Sequence, residues 1–273
     1  MRLRECLAMA VLLALASSGC SRLTFIKPSP KMVSATGTPR NDYQISDSTA
    51  TKQRMRLEDR LAFAAQRLRS GDATTAEREA RAVLKSNPAS SEAHALLAVI
   101  HDQRGDATQA GVHYKRAAEL SPAQGSALNN YGAWLCSNGH PAEALVWFDR
   151  ALADPAYATP ASALANAGGC ALEAGQHERA ERDLRKAIGM DPQNPYALQS
   201  MAQNEYRQGR YFEARAFTER RLSAAPANPD VLQLAANIEE RLGDKAAAGR
   251  YVQRLRTEFP TPSAANPGEK TKP

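Results

Sequence analysis

The sequence predicts an all-α solenoid of about six helix-turn-helix repeats. Three observations carry this. Gly105, Gly139, Gly175, Gly209 and Gly243 each sit in a short break, and three of their four intervals are 34 residues, the other being 36. Pro88, Pro122, Pro192, Pro226 and Pro260 each close a unit, again at intervals of 34 wherever the longer unit does not intervene. Between them small and large apolar residues recur in one register, which is how stacked helix pairs bury a continuous stripe.

The fill is regular from unit to unit. One unit carries Leu97, Ala98, Gly105, Ala110, Tyr114, Ala117 and Pro122, and the next carries Tyr131, Gly132, Gly139, Ala144, Phe148 and Ala151. Ala167, Gly168, Gly175, Ala180, Leu184, Ala187 and Pro192 follow, then Met201, Ala202, Gly209, Ala214 and Pro226, then Ala235, Ala236, Gly243, Ala248, Val252, Leu255 and Pro260. A poorer first copy has Phe63, Ala64, Gly71, Ala76, Ala80, Val83 and Pro88. Small residues let the two helices of a unit cross closely. Glycine ends the first helix because it enters the left-handed backbone region without steric cost. Proline cannot continue the second. A period near 34 with this punctuation is the tetratricopeptide-repeat (TPR) signature, which implies a right-handed superhelix with a concave groove lined by the first helix of each repeat.

The elements follow in order. Residues 1–19 read as a secretory signal: Arg2 and Arg4 precede the ten-residue apolar run Leu7 to Ala16, too short to span a bilayer as a mature helix. Ser18-Gly19-Cys20 resembles the bacterial lipoprotein box, which implies lipidation of Cys20 after cleavage. Ser21, where an aspartate would signal inner-membrane retention, directs the expectation to the periplasmic face of the outer membrane. Residues 20–56, rich in Ser, Thr and Pro with no periodic apolar face, are expected to be a lipidated flexible tether. Six repeats are expected over 57–262, at 57–90, 91–124, 125–160, 161–194, 195–228 and 229–262. The two extra residues fall in Asp154–Pro160 and lengthen one inter-repeat loop. Residues 263–273 are expected to be a disordered tail. Glu239, Glu240, Arg241 and Lys245 suit a polar cap on the last repeat.

The chain carries a net charge of +6, but Asp and Glu are interspersed with Lys and Arg through the repeats, and no aromatic-basic stripe appears. Nucleic acid is therefore not the expected partner. The first repeat is the exception, with Lys52, Arg54, Arg56, Arg60, Arg67 and Arg69 clustered on or before it. A solvated helix face is the plain account, and contact with lipid headgroups or an acidic partner the sharper one. No phosphate-binding loop, dinucleotide fingerprint or nucleophile elbow is present. His94 and His101 lie seven apart without an evident third ligand, and His177-Glu178 lacks a zinc helix's second histidine. No catalytic residue, metal, cofactor or small-molecule substrate is expected, and the chain reads as a binding scaffold rather than an enzyme.

Cys136 and Cys170 remain after Cys6 in the signal and Cys20. Both fall on the first helices of consecutive repeats, where a disulfide would staple the third repeat to the fourth. Two buried free thiols are the alternative. Asn130 and Asn166 both occupy the sixth repeat position, where such repeats often use asparagine to hold a ligand backbone. The candidate groove set is Asn129, Asn130, Ala133, Ala165, Asn166, Gly169, Tyr196, Gln199, Gln203 and Tyr206, whose small and apolar members suggest an apolar ligand segment.

The stretch Leu128-Asn129-Asn130-Tyr131-Gly132-Ala133-Trp134-Leu135-Cys136, behind an acylated cysteine and within six repeats, resembles the type IV pilus biogenesis lipoproteins of the PilF/PilW pilotin family. The resemblance covers the chain apart from tether and tail. It implies a pilotin whose partner is the type IV pilus secretin, aiding that secretin's outer-membrane localisation and multimerisation. A different periplasmic TPR lipoprotein, scaffolding envelope or cell-wall assembly, would share every feature except dependence of pili on it.

Overall fold

The structure, a computed structural model, describes residues 48–260, and within them the chain forms twelve helices and no strand. They pair as six repeats. α1 (Thr49–Arg69) and α2 (Ala73–Ser86) make the first, α3 (Ser91–Gln103) and α4 (Ala107–Leu120) the second, and α5 (Gly125–Ser137) and α6 (Pro141–Leu152) the third. α7 (Pro160–Glu173) and α8 (His177–Met190), α9 (Pro195–Arg207) and α10 (Tyr211–Ala224), and α11 (Pro229–Leu242) and α12 (Lys245–Glu258) complete the series. The signal, Cys20, most of the expected tether and the 263–273 tail lie outside the described residues.

Local chemistry explains the boundaries. Gly71, Gly105, Gly139, Gly175, Gly209 and Gly243 all take positive φ, between 72° and 84°, in the break within each repeat. In all six the residue after the glycine donates its N–H to the carbonyl five residues back, as Asp72 does to Arg67 and Asp244 to Glu239, so the same left-handed C-cap closes every first helix. The helix after the break is then N-capped in three repeats by an aspartate: Asp72, Asp106 and Asp244 accept from the backbone of Thr75, Gln109 and Ala247. Pro141, Pro160, Pro195 and Pro229 open helices at the first position, where a missing N–H costs nothing.

Each helix packs on its partner and on the next repeat, so the core is a stripe. Tyr114, Leu128, Phe148, Leu184 and Met201 are buried along it from the second repeat into the fifth. A smaller cluster of Ala202, Ala214, Leu234 and Ile238 continues it into the sixth, and Phe217 packs against both. Small residues set the spacing: a Cβ on Gly132 would lie 3.0 Å from Phe148 Cε1, and one on Gly168 would lie 2.5 Å from Leu184 Cγ.

Two expectations change. The helical part begins at Thr49, not near Leu57, so residues 49–56 leave the expected tether. Ser48 accepts from Thr51 N–H at 3.1 Å and starts the helix there. Local capping thus extends α1 although only its Ala64 is buried. Glu239 does not face solvent as part of a cap. It is 5% exposed and paired with Arg215, tying the sixth repeat to the fifth. The long loop between α6 and α7 folds back on its own repeat: Asp154 accepts the Gly125 N–H at 2.8 Å, and Tyr157 covers the space where a Cβ on Gly125 would stand. α5 has no side-chain N-cap of its own, and Asp154 supplies one from 29 residues away.

Candidate functional site: a groove on the first helices

First helices of successive repeats touch one another, α1 with α3, α5 with α7, α7 with α9 and α9 with α11. They line a common side. On α1, α3 and α5 that side opens a groove of about 420 Å³. Its walls are Leu61, Ala62 and Ala65 of α1, Ala95, Leu96 and Val99 of α3, and Ala127 of α5. Glu92, Gln124, Ser126 and Asn130 give it polar edges. A smaller cavity of about 160 Å³ adjoins it through Asn130, bounded by Asp102, Tyr114, Ala133 and Trp134. Such a trough buries apolar side chains of a peptide, at about 1.5–3 kcal/mol each when fully covered, and offers amide edges to its backbone.

The expected groove residues divide. Asn130 is exposed and shared by both cavities, and Ala133 lines the smaller one. Asn129, Ala165 and Gly169 do not present surface. Asn129 is 8% exposed and accepts from Asn166 Nδ2 at 3.1 Å, so this pair joins α5 to α7. A Cβ on Gly169 would run into the Tyr196 ring and hydroxyl, so Tyr196 lies over that glycine while remaining half exposed. Gln199, Gln203 and Tyr206 are half-buried on α9, away from the apolar groove. The walls on α1 and α3 lie outside the groove set expected from the sequence. A signal existed: α3 buries Leu97, Ala98 and Ile100 in the core yet carries Ala95, Leu96 and Val99 as well, so it is apolar well beyond one face.

Cys136 of α5 and Cys170 of α7 are joined by a disulfide, with Cα atoms 5.8 Å apart across 34 residues. It lies about two turns beyond the Asn129–Asn166 bridge on α5 and about one turn beyond it on α7, so covalent and polar links join the same two helices.

His94 and His101 are joined by His113 from α4. The His101 and His113 rings stack at 5.5 Å between centroids. His94 Nε2 lies 3.3 Å from the Pro88 carbonyl, which can only accept, so that nitrogen carries the proton. His94 Nδ1 then accepts from His113 Nδ1 at 2.9 Å. Burial, with the neighbouring His94, His101 and Arg81, holds the His113 imidazole down at about 4, and burial lowers His94 too. Among the described residues no group of three His, Cys, Asp or Glu is arranged to hold a metal ion.

Comparison with known proteins places the architecture. Tetratricopeptide-repeat models match residues 61–125, 135–195 and 171–238. The type IV pilus assembly protein PilF of Pseudomonas aeruginosa is 24% identical over 193 residues, 71% of this chain and 77% of that protein. The crystal structure of PilW, described as a widely conserved type IV pilus biogenesis factor, superposes with a TM-score of 0.70 at 30% identity over 76% of this chain and 95% of that one. Cellulose synthase operon protein C of Pseudomonas fluorescens is 28% identical over 69% of this chain but only 16% of its own length. The chain belongs to the tetratricopeptide-repeat proteins, and the type IV pilus biogenesis proteins PilF and PilW are its homologues.

Proposed function

We propose that this chain is an outer-membrane lipoprotein pilotin of type IV pilus biogenesis. Cys20 carries the lipid that addresses it to the periplasmic face of the outer membrane, and the groove holds a segment of the pilus secretin. The apolar trough on α1, α3 and α5 is the observation that carries the reading, beside the kinship with PilW. Before its barrel closes, a secretin subunit exposes apolar strand edges that aggregate. Holding one such segment beside the membrane shields it and raises its local concentration where rings assemble. The match to cellulose synthase operon protein C favours a second reading, a periplasmic scaffold for another envelope assembly, in which the same groove serves a different client.

Heat-resistant secretin multimers in outer membranes decide between them. They are expected to disappear in a deletion strain, to fall or mislocalise with Cys20→Ala, and to fall with Leu96→Asp, which puts a charge in the groove wall at a half-buried site. Normal multimers and pili in the deletion strain would sink the pilotin reading and leave the second.

A further inference from the structure

The helix α1 is built unlike its eleven companions. It has 21 residues, against 12 to 14 in every other helix, yet buries only Ala64. Its first eight residues overhang the repeat by about 12 Å at 1.5 Å per residue. All but the half-buried Thr51 are exposed there. It also concentrates the charge. Six cations and two anions give α1 a net +4 of the chain's +6, whereas residues 70–260 hold 21 cations against 23 anions, a net −2. Helix stability does not explain this placement. Lys52, Arg54 and Arg56 stand in the first two turns, where cations oppose the helix macrodipole, and no acidic residue occupies the first turn.

Ion pairing within the fold does not explain it either. Arg60 meets Glu79 and Arg67 meets Asp72, but Lys52 and Arg56 make no ion pair among the described residues, and Arg54 has only the solvent-exposed Glu58 at 3.6 Å. Two large apolar side chains stand beside them, Met55 at 48% exposed and Phe63 at 45%. At 100° per residue Met55, Asp59, Lys52, Phe63 and Arg56 fall within one face about 100° wide, centred about 130° round the helix from Ala64, with the exposed Asp59 as its one anion.

We propose that this face of α1 is a docking surface for anionic phospholipid, laid along the bilayer with its cations on headgroup phosphates and Met55 and Phe63 among the upper acyl chains. The charge distribution chooses the occupant: the basic helix is drawn to an anionic surface while the net-negative remainder is turned away from it. The direction of the surface rests on Cys20 as the lipid site. Cys20 stands 28 residues before Ser48, which at full stretch reaches at most about 100 Å, so an anchored chain keeps α1 within range of the bilayer. The lipid would then hold the chain at the bilayer and the helix would orient it, keeping the groove on α1, α3 and α5 in a defined orientation.

The test removes the lipid so that α1 is read alone. The chain from residue 20 onward, with Cys20→Ser, is sedimented with vesicles of phosphatidylcholine and of phosphatidylcholine containing 30 mol% phosphatidylglycerol. Binding is expected only to the latter and is expected to be lost in 0.5 M NaCl, where screening shortens to a few ångströms. The Lys52→Gln/Arg56→Gln variant is expected to bind roughly 30-fold more weakly, two headgroup contacts being removed. A variant with Lys245 and Arg250 of α12 changed to Gln loses the same charge at the other end and is expected to bind as the parent does. Equal loss in both variants would reduce the effect to bulk charge and overturn the proposal. No binding to the anionic vesicles would overturn it as well, and capture of poly-glutamate instead would identify an acidic polypeptide as the occupant. Because the parent lacks a lipid and the groove is untouched, this result stands or falls apart from the secretin assay.

Discussion

Glycine serves two separate ends in this chain, and substitution tells them apart. Gly168 is a packing residue: a Cβ there would sit 2.5 Å from Leu184 Cγ and 3.1 Å from the Leu184 backbone nitrogen, which cannot swing away. Gly168→Ala is expected to destabilise by about 1–3 kcal/mol through overpacking. Gly249 lies inside α12 with nothing within 4 Å of a Cβ and no positive φ. Gly249→Ala is expected to stabilise by about 0.5–1 kcal/mol, since it only reduces the freedom of the unfolded chain. Thermal or urea melts of the two variants check the pair, and the same sign in both would contradict the packing assignment. His113 belongs to this scale too. Its folded pKa, about 4, lies below the ordinary 6.5, so the unfolded chain takes up a proton that the folded chain refuses. Its contribution is complete above pH 6.5 and is lost as pH falls toward 4. Between pH 7 and 5 the loss is expected to be about 1 kcal/mol, discounted for the ring's partial exposure. That window lies above the range of Asp72, whose carboxyl is held at about 2 by the Thr75 backbone N–H and Arg67. Urea midpoints at the two pH values should converge in His113→Asn, and an unchanged pH dependence would remove His113 as its source. The histidine trio shows where linear reading stops: His94 and His101 are visible as neighbours on one helix, but His113, 12 residues beyond His101, joins them only because α4 folds back along α3.

At the scale of elements, the fold depends on how each first helix meets the next. α7 is the most buried of them, and its Gly168 and Gly169 lie under Leu184 of α8 and Tyr196 of α9. The disulfide from Cys136 to Cys170 crosses the junction that carries the longest loop, Ala153–Thr159. Closing a 34-residue loop is worth roughly 3–4 kcal/mol in the chain-entropy account. Cys136→Ser/Cys170→Ser, or reduction of the parent, is expected to lower stability by about that amount. Melting with and without reductant measures it, and a melt indifferent to reductant would mean that no bridge holds the junction. The glycine and proline punctuation made helix breaks legible to within a residue or two because cap chemistry is local. The α1 start lies eight residues before the expected one because Ser48 and the polar run after it carry no apolar period to mark a helix.

At the scale of the whole chain, the repeat architecture makes groove and charge into properties of position. The apolar trough occupies repeats one to three, the disulfide joins repeats three and four, and the net positive charge sits in the first helix of the first repeat. A period of 34, a left-handed glycine in each break and a proline after each second helix depend on neighbours along the chain, so the sequence alone determined the repeat, its number of copies and its kinship. Which side chains face the groove depends on the rotation of each helix against the next repeat. Asn129 and Asn130 are adjacent in sequence, yet one is buried against Asn166 and the other opens into two cavities. Only the tertiary structure decided that, because a step of one residue turns a side chain about 100° around its helix, and packing across repeats chooses the angle.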